Sequence, residues 1–393
     1  MELLIFNPEH DYALADNQPQ YVTLRSAAQF AYDCAPFMHC LSVDENVVLN
    51  AYIPFGKDFQ KNFAPLEGVE RITKVTPWGW DAAVVYQLQR IGIPEALLPS
   101  ASQLAKIREL AHRKITIPAM EFLRANLPSS DNLPQPPECL TSIQEIESFV
   151  KRYEHVLFKS PYSGNGRGHL YAHHTCTPTL LRQCAGVLKR QGSILAERQY
   201  NVVQDFAMEF TCDRGEVTFR GYSLFKTEHY GYGGNLLMPD EEILRTLSQY
   251  INIVELQQIQ SWVAQFLAGH IAAHYDGDAG VDMFVYQEDE CYRIHPFVEV
   301  NLRKTMGLAA HDIYARYCHP ESRGIFRILC APVETMCTSS LQFKASTSSL
   351  QSEMQFRDGL WSSGTLFLNP IAPETQYAVE VTLQNDNFPI FAV

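Results

Sequence analysis

The stretch Glu299-Val300-Asn301-Leu302-Arg303 sets an acid, an amide and a guanidinium at every second position. On a β-strand successive side chains point to opposite faces. Phe297, Glu299, Asn301 and Arg303 then share one face, and Val298, Val300 and Leu302 form an apolar stripe on the other. Mg2+ takes oxygen ligands in an octahedron, with one or two carboxylates completed by phosphate oxygens and water. Glu299 and Asn301, side by side, can share such an ion, and Arg303 can grip a phosphoryl oxygen with its planar fork. Asp282, on an upstream strand with Phe284 and Tyr286, offers a second carboxylate to the same metal. A polar outer sheet face would explain the acid and the arginine, but explains an asparagine in a strand less well. A tight hairpin that set Asp282 opposite Glu299 would need its turn later than the residues Gln287-Glu288-Asp289-Glu290, so a bulge at Pro296 is expected to absorb the slip.

Two further stretches have chemical potential. Lys159 ends an apolar strand, and Gly164, Gly166 and Gly168 follow within nine residues, with Arg167 among them. Glycines let successive backbone N–H groups approach an anion, and the lysine adds a point charge, so this reads as a phosphate cradle or, more plainly, as a glycine-rich hairpin turn. Ser193–Tyr200 and Asp205–Cys212 are strands around a short polar break, the shape of a hinge between lobes. An extended hinge can read an adenine edge with its backbone, and Glu197 and Asp205 are candidates to accept ribose hydroxyls or are ordinary polar residues at strand ends.

The first strand, Glu2–Phe6, runs into Asn7-Pro8-Glu9-His10-Asp11. Ligands of open α/β sheets bind beyond the carboxyl ends of the strands. Asn7, Glu9, His10 and Asp11 are thus candidates to touch a second substrate. The competing reading makes Asn7 the cap of a helix starting at Pro8, with the acids in its first turn. His173 and His174 read as surface residues.

The chain has 393 residues, 46% of them hydrophobic and 19% charged, enough for two or three domains with real cores. A formal net charge of −13 disfavours nucleic acid or an acidic membrane surface as the main partner. No apolar run is long enough to span a bilayer, and the N-terminus lacks the basic region of a signal peptide. The ten cysteines include no CxxC pair, so reduced thiols in a cytoplasmic protein are expected. Helices are expected around residues 26–35, 81–94, 102–128 (in two stretches parted by Ile115-Thr116-Ile117-Pro118), 142–153, 179–192 and 254–275. Residues 129–142, rich in proline and serine, read as a loop.

In order, the lysine strand, glycine turn, hinge, amphipathic helix, Gly280-Val281-Asp282 strand and Glu-x-Asn-x-Arg strand resemble the ATP-grasp family over roughly residues 100–310. The resemblance implies an α/β class overall: a Rossmann-like N-terminal α/β domain (1–100), two α+β lobes gripping ATP (101–200 and 201–320), and extra C-terminal strands (321–393). It implies a second ATP-contacting cation on a helix before an Ile-Pro turn, matched by Lys106, with Arg108 and Lys114 as alternatives. It makes Arg220 and Lys226 candidate contacts to the γ-phosphate or substrate, against the plainer reading of a charged β-ribbon. The activity implied is ATP- and Mg2+-dependent ligation, with Mn2+ as an alternative metal. A small-molecule or peptide carboxylate becomes an acyl phosphate that an amine or thiol attacks. A nucleotide-binding module without catalysis and a kinase are the alternatives.

Overall fold

The computed structural model describes residues 1–42, 45–49, 68–128, 130–164, 168–228, 231–330, 341–342 and 353–385. Gly166 and Arg167 of the expected cradle, and the expected last strand from Phe388, lie outside them.

The chain opens with β1 (Glu2–Ile5), α1 (His10–Asp16), α2 (Arg25–Cys34), β2 (Asn46–Leu49), β3 (Lys74–Pro77) and α3 (Ala82–Arg90). The three strands pair in parallel in the order β2-β1-β3. All four residues of β1 are buried, as expected of the central strand of a covered parallel sheet. Asp81 caps α3 by accepting from the amides of Ala83 and Val84. Helices α4 (Ala101–Ala111) and α5 (Thr116–Asn126) follow, with Pro118 in the first turn of α5, where its missing N–H costs nothing.

A second sheet holds β4 (Glu138–Leu140), β5 (His155–Lys159), β6 (His169–His173) and β7 (Ile194–Arg198), with helices α6 (Ile143–Val150) and α7 (Pro178–Gln191). Its antiparallel order is β4-β7-β5-β6. The segment expected to be a loop thus contains a strand: Glu138–Leu140 pairs with β7, a three-residue edge too short to show a pattern in sequence.

The third sheet is built from β8 (Asn201–Asp213), β9 (Glu216–Glu228), β10 (Gly231–Leu237), β11 (Gly277–Glu288), β12 (Cys291–Asn301), β13 (Ser322–Cys330), β14 (Leu341–Gln342), β15 (Glu353–Arg357), β16 (Leu360–Phe367) and β17 (Tyr377–Asn385). Helices α8 (Asp240–Leu247), α9 (Ile253–His270) and α10 (Met306–Tyr317) accompany it. The main path is β12-β11-β8-β9-β10-β13-β17-β16-β15, so the C-terminal strands continue the same sheet as the Glu-x-Asn-x-Arg strand. The chain is a mixed α/β protein. Among the described residues no helix is long and apolar enough to cross a membrane. Cys330 is disulfide-bonded, which departs from the expectation of reduced thiols throughout, while the other cysteines of the described residues are free.

Alternation along β8 and β11 separates two faces. Phe206, Met208, Phe210, Val281, Met283 and Val285 pack with Ile259, Val263 and Phe266 of α9. Asp205, Glu209, Asp282 and Phe284 occupy the opposite face, which α10 partly covers through its contacts with β8 and β9. Asp282 stands opposite Glu299, but Phe284 stands opposite His295, so β12 spends three residues, Pro296 to Val298, where β11 spends one. The expected bulge at Pro296 is present. It also corrects the simple alternation: Phe297 turns into the core with Val300 and Leu302 instead of sharing the face of Glu299.

Beneath that face lies Glu209, buried and accepting from Ser223 Oγ at 3.0 Å and Thr305 Oγ1 at 2.8 Å. Thr305 also caps α10 by accepting from the Leu308 amide at 2.9 Å. Burial, with Asp282 and Asp278 nearby, outweighs these hydrogen bonds and pushes the Glu209 carboxyl from 4.5 up to about 8. The folded state therefore binds an extra proton between those values. The stability gained is complete below the unfolded pKa and is lost as pH rises through the folded one, with a slope of at most about 1.4 kcal/mol per pH unit. Thermal unfolding should show the melting temperature falling from pH 5 to pH 9, and falling less steeply in Glu209→Gln. Parallel profiles for the two proteins would contradict this assignment.

Candidate active site

Because Asp282 faces Glu299, and Gly280 faces Asn301, the hairpin of β11 and β12 sets two carboxylates and an amide together on one face. Asn301 Nδ2 donates to Asp282 Oδ2 at 3.1 Å. Arg303 Nη2 donates to Asn301 Oδ1 at 2.9 Å, and Arg303 Nε and Nη2 reach the two oxygens of Asp11 at 3.3 and 3.2 Å. Glu299 accepts from Arg113 Nη2 at 2.5 Å. Burial, and then the Glu299 charge, raise the Asp282 carboxyl to about 7 against the opposing pull of Arg303 and Asn301. Two acids crowded in this way are relieved by a cation.

The donor set of two carboxylates and an amide oxygen is hard and suits Mg2+ or Mn2+. Among the described residues no group of three or more His, Cys, Asp or Glu side chains could by itself hold a metal. Mg2+ needs no such cage, because phosphates and water complete its shell.

Arg113 is the site residue that the sequence did not single out. It lies between α4 and α5, is buried, and donates to Ser160 O at 2.9 Å, Ser163 Oγ at 3.2 Å and Ser163 O at 3.0 Å, besides Glu299. It thus ties the start of the glycine-rich turn to the paired carboxylates. Lys106, the expected cation of this region, pairs instead with Glu109 on the exposed side of α4, and Arg108 donates to Leu14 O at 2.7 Å. Proximity to the Ile-Pro turn would not have found Arg113, because the exposed Lys114 lies nearer in sequence.

Lys159 and Glu197 sit diagonally across the β5–β7 pair and form a buried ion pair. Burial raises the Glu197 pKa, but Lys159, with His295 Nε2 at 3.6 Å, outweighs it and holds the carboxyl at about 2. Gly164 is small because the Asp11 carboxylate lies against it: a Cβ there would meet Asp11 Oδ2 at 2.5 Å. Gly168 has φ of 84° and would bring a Cβ to 2.8 Å from Ser160 Oγ. Asp205 stands opposite Phe284 and adds to the negative field on Asp282. Next to it Tyr200, Phe284 and His295 form an aromatic group, with Tyr200 5.8 Å from Phe284 and 5.4 Å from His295 by ring centroids. Both ring nitrogens of the fully buried His295 lack a hydrogen-bond partner.

The remaining expected residues divide. Of the N-terminal polar turn, Asp11 reaches the cluster through Arg303. Asn7 and His10 do not, because both are spent on Asp81: Asn7 Nδ2 donates to Asp81 Oδ2 at 3.1 Å and to Gly79 O at 2.8 Å, and His10 Nδ1 lies 3.2 Å from Asp81 Oδ2. Nor does Asn7 cap a helix, since α1 has Glu9 at its N-cap and no side-chain cap. Arg220 is likewise engaged away from the paired carboxylates, donating to Asp312 at 2.7 Å and Thr211 at 3.1 Å. Lys226 lies in β9 opposite Gly234 of β10.

Beside Asp11, Gly164 and Arg303 is a cavity of about 150 Å3 that reaches to β13 and β17. A larger hollow, about 840 Å3, lies between α3 and α4 and contains none of the clustered carboxylates. Removing Arg113 should expose how far the cluster depends on it. Arg113→Ala leaves Glu299 and two serine carbonyls without their donor and should cost about 3 kcal/mol by denaturant unfolding. Arg113→Lys, which lacks the fork, should recover only part of that. Full recovery by lysine would show that charge alone suffices.

No family model matches the chain, and no curated protein matches it. Among solved structures it is similar to biotin carboxylase from Campylobacter jejuni in complex with β-γ-ATP, with a TM-score of 0.52, 12% identity and coverage of 98% of this chain and 88% of that one. It is also similar to the biotin carboxylase domain of the 2-oxoglutarate carboxylase of Hydrogenobacter thermophilus, a structure with MgADP, ADP and bicarbonate, with a TM-score of 0.51, 13% identity and coverage of 98% and 86%. At such identities the likeness is one of fold. With the lysine strand β5, the strands β7 and β8 and the Glu-x-Asn-x-Arg strand β12 in the expected order, the chain has the ATP-grasp fold.

Proposed function

We propose that the protein is an ATP- and Mg2+-dependent ligase that joins a carboxylate to an amine through an acyl phosphate. The observation that carries this reading is the facing of Asp282, Glu299 and Asn301, bounded by Arg303 and Arg113 at the foot of the glycine-rich turn. A carboxylate is a poor electrophile until one of its oxygens becomes a leaving group. Its oxygen attacks the γ-phosphorus, the bond to the β–γ bridging oxygen breaks, and ADP departs. The amine nitrogen then attacks the acyl carbon, the bond to the phosphate oxygen breaks, phosphate leaves, and the nitrogen gives up a proton.

Nothing in this sequence needs a side-chain nucleophile, so the residues position groups and balance charge. Asp282, Glu299 and Asn301 would hold Mg2+, which supplies charge neutralisation on the phosphates. Arg303 serves the transferring phosphoryl group and the developing oxyanion. Lys159 and the backbone of the glycine-rich turn serve the phosphates, and Glu197, Asp205 and the aromatic group around Tyr200 border the nucleoside. Arg113 keeps the turn and Glu299 in register and is a positioning residue.

The test is ADP release with ATP and Mg2+ across paired panels of amino acids, short peptides and simple amines, with the product weighed by mass spectrometry. An amide is the expected product, and Glu299→Ala should lower kcat at least about 100-fold. A phosphorylated substrate would identify a kinase instead. Full turnover in Glu299→Ala would remove the metal assignment.

A further inference from the structure

Lys159 has two duties that it cannot perform together. Its side chain is buried, and its ammonium is spent on Oε1 of Glu197, which is buried as well. As a phosphate ligand at the foot of the glycine-rich turn, the same ammonium has to turn away from that carboxylate. Taking one member from a buried ion pair leaves an uncompensated charge and is strongly destabilising. Something else must then answer Glu197.

The groups around that carboxylate single out His295 of β12. Its ring is fully buried, and neither ring nitrogen has a hydrogen-bond partner among the described residues. Its Nε2 lies 3.6 Å from Glu197 Oε2, the oxygen that Lys159 leaves open. A closure of about half an ångström would make a hydrogen bond there. The rest of its surroundings are aromatic, with Phe284 of β11 at 4.8 Å and Tyr200 at 5.4 Å by ring centroids. Burial, then Glu197, push the Tyr200 hydroxyl far above its ordinary range, and Tyr286 beside it is raised too, so both stay neutral phenols. Asp205 of β8 stands opposite Phe284, while Arg198 and Arg293 both pair with Glu288. His169 of β6 stands opposite Lys159, and burial, then Lys159 and Arg113, hold it at about 3.

We infer that His295 is a positioning residue, the standby counter-ion of Glu197. When phosphates draw Lys159 away, His295 takes up one proton from solvent and donates its Nε2–H to Glu197. The carboxylate thereby keeps its charge and its place beside the nucleoside. While Lys159 is in position one cation already answers Glu197, and a second charge on a fully buried ring would be in excess. The arrival of the nucleotide rests on the ligase reading, whereas the answering of a deserted Glu197 by His295 does not. Proton uptake also has a distinctive sign, since phosphates entering a cationic cradle shed protons.

The probe is the non-hydrolysable analogue AMP-PNP with Mg2+, added to the full chain at pH 7.5. The reporter is imidazole 15N NMR, with His295 and His169 assigned by the signals lost in His295→Gln and His169→Gln. In the wild type the two His295 nitrogens should pass from the unlike shifts of a neutral ring to the like shifts of a cation as nucleotide saturates. In Glu197→Gln, which leaves no charge to answer, His295 should stay neutral. In Lys159→Met the cation should be present before any nucleotide is added. Calorimetry in two buffers of unlike ionisation enthalpy should show the wild type taking up at least about half a proton per nucleotide, so that affinity falls at least about threefold per unit rise in pH. A His295 that stays neutral in the saturated wild type would overturn the inference. So would a cation formed equally in Glu197→Gln, or one formed at His169 instead. A chain that binds no nucleotide would remove the ligase reading, and Lys159→Met, which needs none, would still decide: a neutral His295 there overturns the inference, and a cation upholds the pairing.

Discussion

One guanidinium holds the site together. Arg113 is buried, and it joins two backbone carbonyls and a hydroxyl at the start of the glycine-rich turn to the carboxylate of Glu299. Those partners lie in two parts of the chain, just after β5 and in β12. The planar fork suits this task, because its N–H groups diverge at fixed angles and can satisfy several acceptors at once. A lysine offers a point charge on a flexible stem and sets no such geometry. The desolvation cost of the buried arginine is offset only because nearly all its hydrogens find partners.

Around that link the acids exceed the bases. Asp282, Glu299, Asp205 and Glu209 share one sheet face, where Arg113 pairs with Glu299, and Arg303 beside them pairs with Asp11. The consequences are the raised carboxyls of Asp282, pushed up by burial and by Glu299 and Asp205, and of Glu209, pushed up by burial and by Asp282 and Asp278. Arg303 and Asp11 neutralise each other across the join between the N-terminal turn and the last strand of the hairpin. An excess of acid on one face is the arrangement that a bound cation would balance.

Some of this was legible in the sequence for clear physical reasons. The period of two in Glu299, Asn301 and Arg303 and the prolines and glycines that break elements are local signals, and local signals survive folding. The bulge at Pro296 could be anticipated from the mismatch between the turn and the required pairing. That Phe297 would thereby change faces could not, because the number of residues consumed by a bulge depends on its tertiary neighbours. Arg113 stayed hidden among basic residues, since burial of one of them is decided by a strand nearly two hundred positions away. Asn7 and His10 had the composition of ligand-facing residues, yet their partner, Asp81, is a helix cap seventy positions downstream, and that pairing leaves no trace in spacing.

Among the described residues β12, which carries Glu299 and Asn301, is the outermost strand of its sheet. A bulge on an inner strand must be accommodated by neighbours on both sides, whereas on an edge it disturbs one. The outer margin of β12 is therefore a place where a residue can be inserted or lost upstream of Glu299 while the five positions that follow keep their geometry.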